Sequence, residues 1–371
     1  MASNEGPGPV PAGTDADLLT VIITTSPTPS APSTELLSLV LLSFREHCPA
    51  LTGCRVVLVL DTYDRISSTA RLKKGHVTVE GATKFAEYKQ NAKRLILHEY
   101  APSGRTHREE DLVVVHGEAE FGSTAYAQQT NTVPLTITKT PDERIIFIEP
   151  SQRLGFGLAV RSALRLTETP YVWIQQHDWA LVSEIPLRPL LQVMQQQQQQ
   201  QQQLEPDTSV DLGNLDAAKV PIKYVCFPSV RMIQYAKSDH VMQFPALRAL
   251  THLHKQNFAV RSPDGITAKI PLTPLFFWHD KPHIAATEHY LARVFPNRTA
   301  LPRGAFIEDT IGHRARAEMK EGDWRKWACW LYYPDEGKQL CMRHLKGRTW
   351  RGTEAELAQK LEYIRLAPPK S

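Results

Sequence analysis

The chain has 371 residues, of which 42% are hydrophobic and 22% are charged, and its formal net charge at pH 7 is +4. This composition is ordinary for a globular protein that is long enough to bury a large core. The small net charge argues against a nucleic-acid-binding protein, which usually carries a concentrated basic face. No segment has the roughly 20 consecutive apolar residues that a membrane-spanning helix needs.

Two features of the chain bear on its compartment. Residues 1–18 are rich in Gly, Pro and Asp and lack the basic and apolar regions of a secretory signal, so we predict a disordered tail. The number of cysteines is odd and no pair has a CxxC spacing, which is typical of reduced thiols, although a bridge between Cys48 and Cys54 stays open. Together these features predict a cytoplasmic protein.

The first elements in chain order are a strand, a helix and a second strand. The run LLTVIITT (18–25) is typical of a strand that is buried on both faces. Ser33 or Thr34 can cap a helix from residue 35 to about 47, and CRVVLVL (54–60) is again strand-like. Because strand, helix and strand follow at short spacing, they predict a right-handed βαβ unit and hence a parallel sheet.

The pattern of strands and helices continues to residue 176. A helix is predicted over 83–97, followed by a polar insertion at 100–143 with one short strand at LVVVH. The run RIIFIEP (144–150) predicts a third strand. A glycine-containing loop and the helical segment GLAVRSALRLTE lead to a fourth strand, YVWIQQ (171–176).

The second half of the chain contains an uninterrupted glutamine tract, residues 195–203. Because polyglutamine cannot bury a core, we predict an exposed, variable loop over 195–218. Residues 321–371 are predicted to be a C-terminal extension that packs on the same domain. The predicted organisation is therefore one α/β domain over 19–320, which contains the polar insertion and the polyglutamine loop and is flanked by the N-terminal tail and the C-terminal extension.

Polar side chains stand where the predicted strands end. In a doubly wound parallel sheet, ligands bind beyond these carboxyl ends, so we expect the side chains to share one rim. Acidic groups there are costly unless they bind a cation or a hydrogen-bonding ligand, although Asp61 and Asp64 can also be simple turn formers. The rim residues are Thr24, Thr25 and Ser26 of the first strand, Asp61, Tyr63 and Asp64 of the second, and Gln176, His177, Asp178 and Trp179 of the fourth.

Three segments in this order resemble the family 2 glycosyltransferases, which have the GT-A fold. LVLDTYD is similar to the strand whose acidic end contacts the nucleoside, and RLGFGLAVRSALRLTETPYVWIQQHDWAL to the glycine loop, helix and metal-motif strand. FIEDTIGHRARAEM resembles the helix start that carries the catalytic base. The resemblance spans roughly residues 19–320 and implies an α/β, GT-A-like (Rossmann-like), mostly parallel central sheet flanked by helices.

The resemblance implies a metal ligand at Asp178 for Mg²⁺ or Mn²⁺, which would neutralise a diphosphate leaving group. Where the family usually has Asp-x-Asp, this chain reads Gln-His-Asp. His177 is therefore a candidate second ligand that would favour Mn²⁺, or it faces the opposite side of the strand. The resemblance also implies a general base at Asp309 with Glu308 beside it, and helix capping is the alternative for both.

The implied reaction is an inverting, metal-assisted transfer from a nucleotide-diphosphate sugar, such as a UDP- or GDP-sugar, to an acceptor hydroxyl. Two other functions stay open. One is a non-catalytic binding protein on a degenerate GT-A fold; the other is a nucleotidyltransferase, for which SPTPSAPS lacks the glycine- and lysine-rich phosphate loop. The predicted nucleotide-sugar-binding residues are Thr24, Ser26, Asp61, Tyr63, Asp64, Arg153, Gly155, Gln176 and Trp179.

Three further groups have weaker signals. WHDKPH contains His279, Asp280 and His283, which could bind a metal or an acceptor. His344 could close over the diphosphate from a C-terminal loop, or it could belong to a surface basic patch. The late tryptophans, at WxxWxxW spacing, fit a buried amphipathic face better than a sugar-stacking surface.

Overall fold

The computed structural model describes residues 14–101, 108–123, 131–202, 220–261, 265 and 267–366. The strands are β1 (Leu19–Thr25), β2 (Arg55–Leu60), β3 (Arg65–Ile66), β4 (His76–Val77), β5 (Val113–Glu120), β6 (Thr132–Lys139), β7 (Ile145–Pro150), β8 (Tyr171–Gln176), β9 (Trp179–Leu181), β10 (Tyr224–Cys226), β11 (Gln256–Arg261), β12 (Thr267–Pro274), β13 (His283–Ala286), β14 (Cys329–Tyr332) and β15 (Met342–His344). The α-helices are α1 (Asp15–Leu18), α2 (Glu35–His47), α3 (Val79–Glu99), α4 (Phe156–Leu164), α5 (Leu187–Gln202), α6 (Asp239–Met242), α7 (Pro245–His254), α8 (Thr287–Val294), α9 (His313–Lys320), α10 (Trp324–Trp327) and α11 (Thr353–Leu366).

One large sheet organises the molecule, with strand order β11-β12-β14-β10-β13-β8-β1-β2-β7-β6-β5. Its central strands β8, β1, β2 and β7 are parallel, whereas hairpins and antiparallel pairings extend it on both sides. Every residue of β1 is buried, as its continuous apolar run predicts for a strand covered on both faces. The predicted α/β class with a mostly parallel central sheet flanked by helices is confirmed.

The chain order of the central strands creates a ligand-binding position. From β1 the chain proceeds outward to β2 and β7, and then returns to place β8 on the other side of β1. The strand order therefore reverses between β1 and β8, and such a switch point is where doubly wound sheets bind ligands. Thr24 pairs with Gln176 in the register of β1 and β8, so the two strands end at the same rim.

The predicted polar insertion at 100–143 is wrong in part. Two eight-residue strands in this region, β5 and β6, form a hairpin that pairs with β7 and extends the main sheet. The short strand predicted at LVVVH is confirmed as the beginning of β5, an edge strand whose residues 113–116 are exposed, whereas its full length and its partner β6 are not predicted. Residues 102–107 and 124–130 lie outside the described part of the chain.

The predicted polyglutamine loop is also corrected. Residues 195–202 belong to α5, and only the remainder of the predicted loop, from residue 203, lies outside the described residues. The helix begins with buried apolar side chains, among them Leu190, Leu191 and Met194. Glutamine is a good helix former, so the tract continues a helix that these residues anchor. Gln197 is itself buried.

The described part of the predicted C-terminal extension, residues 321–366, is more deeply integrated than an extension. The strand β14 lies inside the main sheet, between β12 and β10, and β15 pairs with β9 directly after Asp178. Trp324, Trp327 and Trp330 are fully buried, in agreement with the core-packing interpretation of their spacing. At the other end, α1 forms within the predicted disordered tail 1–18, of which residues 1–13 lie outside the described chain.

Two general expectations can be compared with the coordinates. All five cysteines are buried free thiols. Among the described residues, none of the helices combines the length and the apolar character needed to cross a bilayer.

Candidate active site

A cleft of about 830 Å³ opens at the rim where β1, β2 and β8 end. It brings together residues from three distant segments: the strand ends, the glycine loop after β7, and the FIED segment near residue 308. Of the predicted site residues, only Asp64 does not line it. The others in the lining are Thr24, Ser26, Asp61, Tyr63, Arg153, Gly155, Gln176, His177, Asp178, Trp179, Glu308 and Asp309.

Asp178 is a buried acid at the switch point, with 8% of its surface exposed. Its Oδ2 accepts hydrogen bonds from His344 Nε2 at 3.0 Å and from the Gly347 amide at 3.1 Å. Burial favours the neutral acid, but the His344 hydrogen bond, the two nearby histidines and the Gly347 amide outweigh it and hold the pKa of Asp178 below its ordinary value. Its other oxygen, Oδ1, is buried and has no hydrogen-bond partner in the described structure.

His177, the neighbour of Asp178, faces another direction. Its Nδ1 lies 2.6 Å from Thr25 Oγ1 and 3.4 Å from the Ser26 amide. Because the Ser26 N–H donates to Nδ1, this nitrogen is an acceptor, and the proton of the neutral ring sits on Nε2. Burial lowers the pKa of His177, so the ring is neutral at pH 7. A protonated Nε2 suits an anionic oxygen better than a cation, which disfavours the predicted metal-ligand role.

The metal-ligating side chains in the cleft could hold a divalent cation only together with ligand atoms from a substrate. Among the described residues, no group of three or more His, Cys, Asp or Glu side chains could hold a metal ion by itself. Asp178 Oδ1 is nevertheless a buried carboxylate oxygen without a partner, and Mg²⁺ is commonly held by one or two carboxylates plus substrate phosphates. The chemistry of this oxygen therefore fits a cation that a phosphorylated ligand brings with it.

Asp61 organises the glycine loop. Its Oδ1 accepts from the Leu154 amide at 2.7 Å and from the Thr62 amide at 3.0 Å, and its Oδ2 accepts from the Gly155 amide at 2.9 Å. Burial raises the pKa of Asp61 to about 6 although these amides oppose the shift. Its two oxygens thus hold the loop that follows β7 against the end of β2, a role that the sequence pattern does not reveal.

Asp64 joins the glycine loop to the segment before the helix that begins at Glu308 and Asp309, which we call the catalytic-helix candidate. Arg153 Nη1 donates to Asp64 Oδ2 and Arg303 Nη1 donates to Asp64 Oδ1, both at 3.1 Å. Below this ion cluster the backbones of Gly155 and Gly304 touch: a Cβ on Gly155 would lie 2.4 Å from Gly304 Cα. Gly155 is therefore required by the contact between two loops, whereas the sequence interpretation assigned it to a close approach of the ligand.

Glu308 and Asp309 begin a continuous helical stretch that leads into α9, as predicted, although its first turn is a π-helix. Glu308 Oε2 lies 3.7 Å from His279 Nδ1 and 3.4 Å from the Asp280 amide, and mainly His279 lowers the pKa of Glu308. In return, the Glu308 amide donates to Asp280 Oδ1 at 3.2 Å. The WHDKPH segment thus holds both the side chain and the backbone amide of Glu308 in place.

Asp280 and Asp309 complete this acidic group in different environments. Burial raises the pKa of Asp280 well above its ordinary value, and the neighbouring carboxylates Glu308 and Asp309 raise it further. Its Oδ2 is buried and has no partner among the described residues. Asp309 is exposed to the cleft, and within the described structure no hydrogen bond or ion pair occupies its carboxylate.

The strand-end residues around these acids have supporting contacts. Gln176 Nε2 donates to the Asp280 carbonyl at 2.8 Å, which ties the end of β8 to the WHDKPH segment. The ring of Trp179 lies 4.8 Å from that of His344. Thr24, Ser26 and Tyr63 line the cleft next to β1 and β2.

The C-terminal strap, which we define as residues 342–350, crosses the cleft beside Asp178. It contains His344 and Gly347, which both bind Asp178, and its Leu345 amide donates to the Asp178 carbonyl at 2.7 Å. Its Arg348 guanidinium stacks over the Phe306 ring at 5.2 Å. Apart from His344, the strap was not identified from the sequence, where it is visible only as a basic segment late in the chain.

Comparison with known proteins gives a likeness to solved structures. No family model matches the sequence, and no curated protein matches it. A structure of TarS from S. aureus is 9% identical with a TM-score of 0.38; the match covers 95% of this chain and 40% of TarS, so this chain spans well under half of that one. The mannosyltransferase PcManGT from Pyrobaculum calidifontis, in complex with GDP-Man and Mn²⁺, is 14% identical with a TM-score of 0.36, over 98% of this chain and 70% of that one.

A UDP-glucose pyrophosphorylase complexed with UDP-glucose is 10% identical with a TM-score of 0.30, over 94% of this chain and 100% of that one. At such identities and TM-scores, these likenesses do not decide what this chain binds. The structure is that of an α/β protein with a cleft at a topological switch point, lined by both acidic and basic side chains.

Proposed function

We propose that this chain is a glycosyltransferase that moves a sugar from a nucleotide-diphosphate sugar to an acceptor hydroxyl with inversion of the anomeric carbon. The observation that carries the proposal is the shared cleft of Asp178 and Asp309. One is a buried carboxylate with a free oxygen at the switch point, and the other is an exposed carboxylate at the start of the FIED helix, without a partner among the described residues. The order of motifs that resembles family 2 glycosyltransferases supports the same assignment.

The donor lies along the ends of β2, β1 and β8. The nucleoside contacts the surface formed by Asp61, Tyr63 and the glycine loop, and the diphosphate reaches the Nε2–H of His177. Asp178 would hold a divalent cation through its free carboxylate oxygen, and this cation would supply charge neutralisation of the leaving group. The C-terminal strap excludes water from this end, because His344 and Gly347 fasten it to Asp178.

The acceptor hydroxyl is activated by a residue of the FIED segment. Asp309 removes its proton, since this carboxylate is exposed to the cleft and has no partner in the described structure. Glu308 keeps the helix start in place through its contacts with His279 and Asp280. A single base opposite the leaving group is the arrangement that an inverting displacement needs.

The test is donor turnover. The wild-type chain is incubated with UDP- and GDP-sugars and Mn²⁺ or Mg²⁺, and release of the nucleoside diphosphate is measured. Asp178→Asn is expected to abolish release and to retain the fold by circular dichroism, whereas the exposed control Asp323→Asn keeps full activity. The anomeric configuration of the product, read by NMR, tests inversion.

The other outcomes identify the alternatives. Binding of a nucleotide sugar by calorimetry without any turnover would indicate a non-catalytic binding protein. Formation of pyrophosphate from a nucleoside triphosphate and a sugar phosphate would indicate a nucleotidyltransferase. If no nucleotide or nucleotide sugar binds, the proposal is wrong.

A further inference from the structure

Among the described residues, six basic side chains line the cleft without an acidic partner, namely Lys73, Arg231, Lys281, Arg343, Lys346 and Arg348. Two of them, Arg231 and Lys281, lie on the side of β10 and β13. Arg231 follows the end of β10, and Lys281 lies two residues before β13. In the described part of the chain, neither side chain makes a hydrogen bond or an ion pair. Arg153, at the other end of the cleft, is by contrast paired with Asp64.

The environment of Lys281 makes this lack of a partner costly. Its side chain is half-buried, and burial lowers its pKa; the nearby charge of Arg231 lowers the pKa further. Removing a cation from water and placing a second cation near it is unfavourable unless an anion binds there. The pair therefore forms a positively charged pocket whose missing partner is an anion.

The sheet topology separates this pocket from the nucleoside surface. The strand β10 is antiparallel to β13, which is antiparallel to β8, so β10 and β8 end at the same rim. Arg231 thus lies beyond β8 on the side away from β1 and β2. The cations beside Asp178 are different ones, namely Arg343, Lys346 and Arg348 around the strap.

The catalytic-helix candidate lies between the two ends. Glu308 is near enough for its charge to raise the pKa of Lys281, and Asp309 is the next residue. A ligand that presents a hydroxyl to Asp309 can therefore extend towards Lys281. The nucleotide of the donor, by contrast, extends towards Asp61, which lies on the far side of β1.

We propose that Arg231 and Lys281 bind an anionic group of the acceptor, a phosphate or a carboxylate, and thereby select acceptors that carry a negative charge near the reacting hydroxyl. Arg presents a planar fork of donors that matches either oxyanion, and Lys adds a point charge. This inference rests on the proposed transferase function for the identity of the ligand as an acceptor.

Direct binding tests the pocket independently of catalysis. Glycerol 3-phosphate, galacturonate and inorganic phosphate are titrated by calorimetry into the wild-type chain, Arg231→Ala/Lys281→Ala, and the control Arg248→Ala/Lys237→Ala. The control removes one Arg and one Lys from an exposed groove elsewhere. We expect at least one organic anion to bind the wild type and the control equally and the cleft variant at least about tenfold more weakly. Equal affinity for all three chains, or no binding to any, overturns the proposal.

Turnover then tests the role of the pocket. Matched acceptors, glycerol against glycerol 3-phosphate and galactose against galacturonate, are compared for release of nucleoside diphosphate. The wild type should prefer the charged member of a pair by at least about tenfold in kcat/KM, and the cleft variant should lose this preference while it retains its Kd for the donor. A parallel loss of donor affinity would assign the cations to the diphosphate and overturn the proposal.

Failure of the transferase function has a separate signature. If the cleft variant loses anion binding but no chain releases nucleoside diphosphate from any donor, the anion pocket stands and the proposed transfer reaction fails. The two matched pairs also distinguish phosphate from carboxylate as the preferred group.

Discussion

Substitution of Gly155 by alanine tests the contact that joins the donor side of the cleft to the catalytic-helix candidate. Gly155 has φ +78° and ψ 165°, a backbone region that is essentially restricted to glycine. An added Cβ would lie 2.4 Å from Gly304 Cα and 2.6 Å from Gly304 C. These neighbours are backbone atoms, so the methyl group cannot be accommodated by rotation of a side chain.

The expected cost has two parts. The unfavourable backbone conformation of an alanine costs about 1–3 kcal/mol, and forced overpacking typically adds about 1–3 kcal/mol. We therefore expect Gly155→Ala to lower the free energy of unfolding by about 4 kcal/mol. Relief of the overlap must separate the two loops, which strains the hydrogen bond from the Gly304 amide to the Leu154 carbonyl (2.7 Å). Because this loop leads to Glu308 and Asp309, turnover should fall as well.

Urea unfolding of three alanine variants separates these parts. Gly322 has φ +105° and open space around the Cβ position, so Gly322→Ala reports the backbone cost alone, about 1–3 kcal/mol. Gly53 has open space and no positive φ, so Gly53→Ala should be close to neutral. If Gly155→Ala is no more destabilising than Gly322→Ala, the reasoning from the contact with Gly304 is refuted.

Three further predictions concern single side chains of the cleft. Asp309→Asn should lower kcat about 10²–10⁴-fold at an unchanged donor Kd, because it removes only the base; a normal kcat contradicts this. Because burial raises the pKa of Asp61 from 3.8 to about 6, the folded chain binds this proton more tightly, which contributes about 3 kcal/mol of stability below about pH 4 that is lost as the pH rises through 6. Asp61→Asn should remove this part of the pH dependence of urea unfolding, and an identical pH profile in the two chains contradicts it. His344→Ala releases one of the three hydrogen bonds that hold the strap to Asp178, so the donor Kd should rise about tenfold; an unchanged Kd contradicts this.

The parallel half of the sheet could be predicted because its strands are buried on both faces. Such strands appear in a sequence as uninterrupted apolar runs, as β1 and β2 do, and an amphipathic helix such as α2 has an equally clear period. Of the edge strand β5, the sequence predicts only the short run LVVVH, whose valines at 113–115 are exposed. Its pairing with β6 is a tertiary contact that no local pattern encodes.

The location of the candidate site could be predicted from the rule that ligands bind beyond the carboxyl ends of parallel strands. The hydrogen-bond partners of the individual side chains could not. The rule correctly brings Asp61 and Asp178 to one rim. It cannot indicate that both oxygens of Asp61 are bound by amides of the glycine loop, because these amides lie about 90 residues further along the chain. Partners at such separations depend on how loops pack, and hydrophobic periodicity contains no information about this.

The two adjacent side chains that follow β8, His177 and Asp178, make contacts with different parts of the site. In the turn between β8 and β9, His177 directs Nδ1 to Thr25 and so couples the ends of β8 and β1, while Asp178 faces the strap. The two oxygens of Asp178 are then used differently: Oδ2 is bound by His344 and Gly347, and Oδ1 is left for a ligand. Since both oxygens belong to one rigid carboxylate, attachment of the strap also orients the free oxygen. Under the proposed function, attachment of the strap and positioning of the donor diphosphate are therefore coupled at this residue, and a variant that loosens the strap should weaken donor binding even though the strap residue it changes does not itself bind the nucleoside.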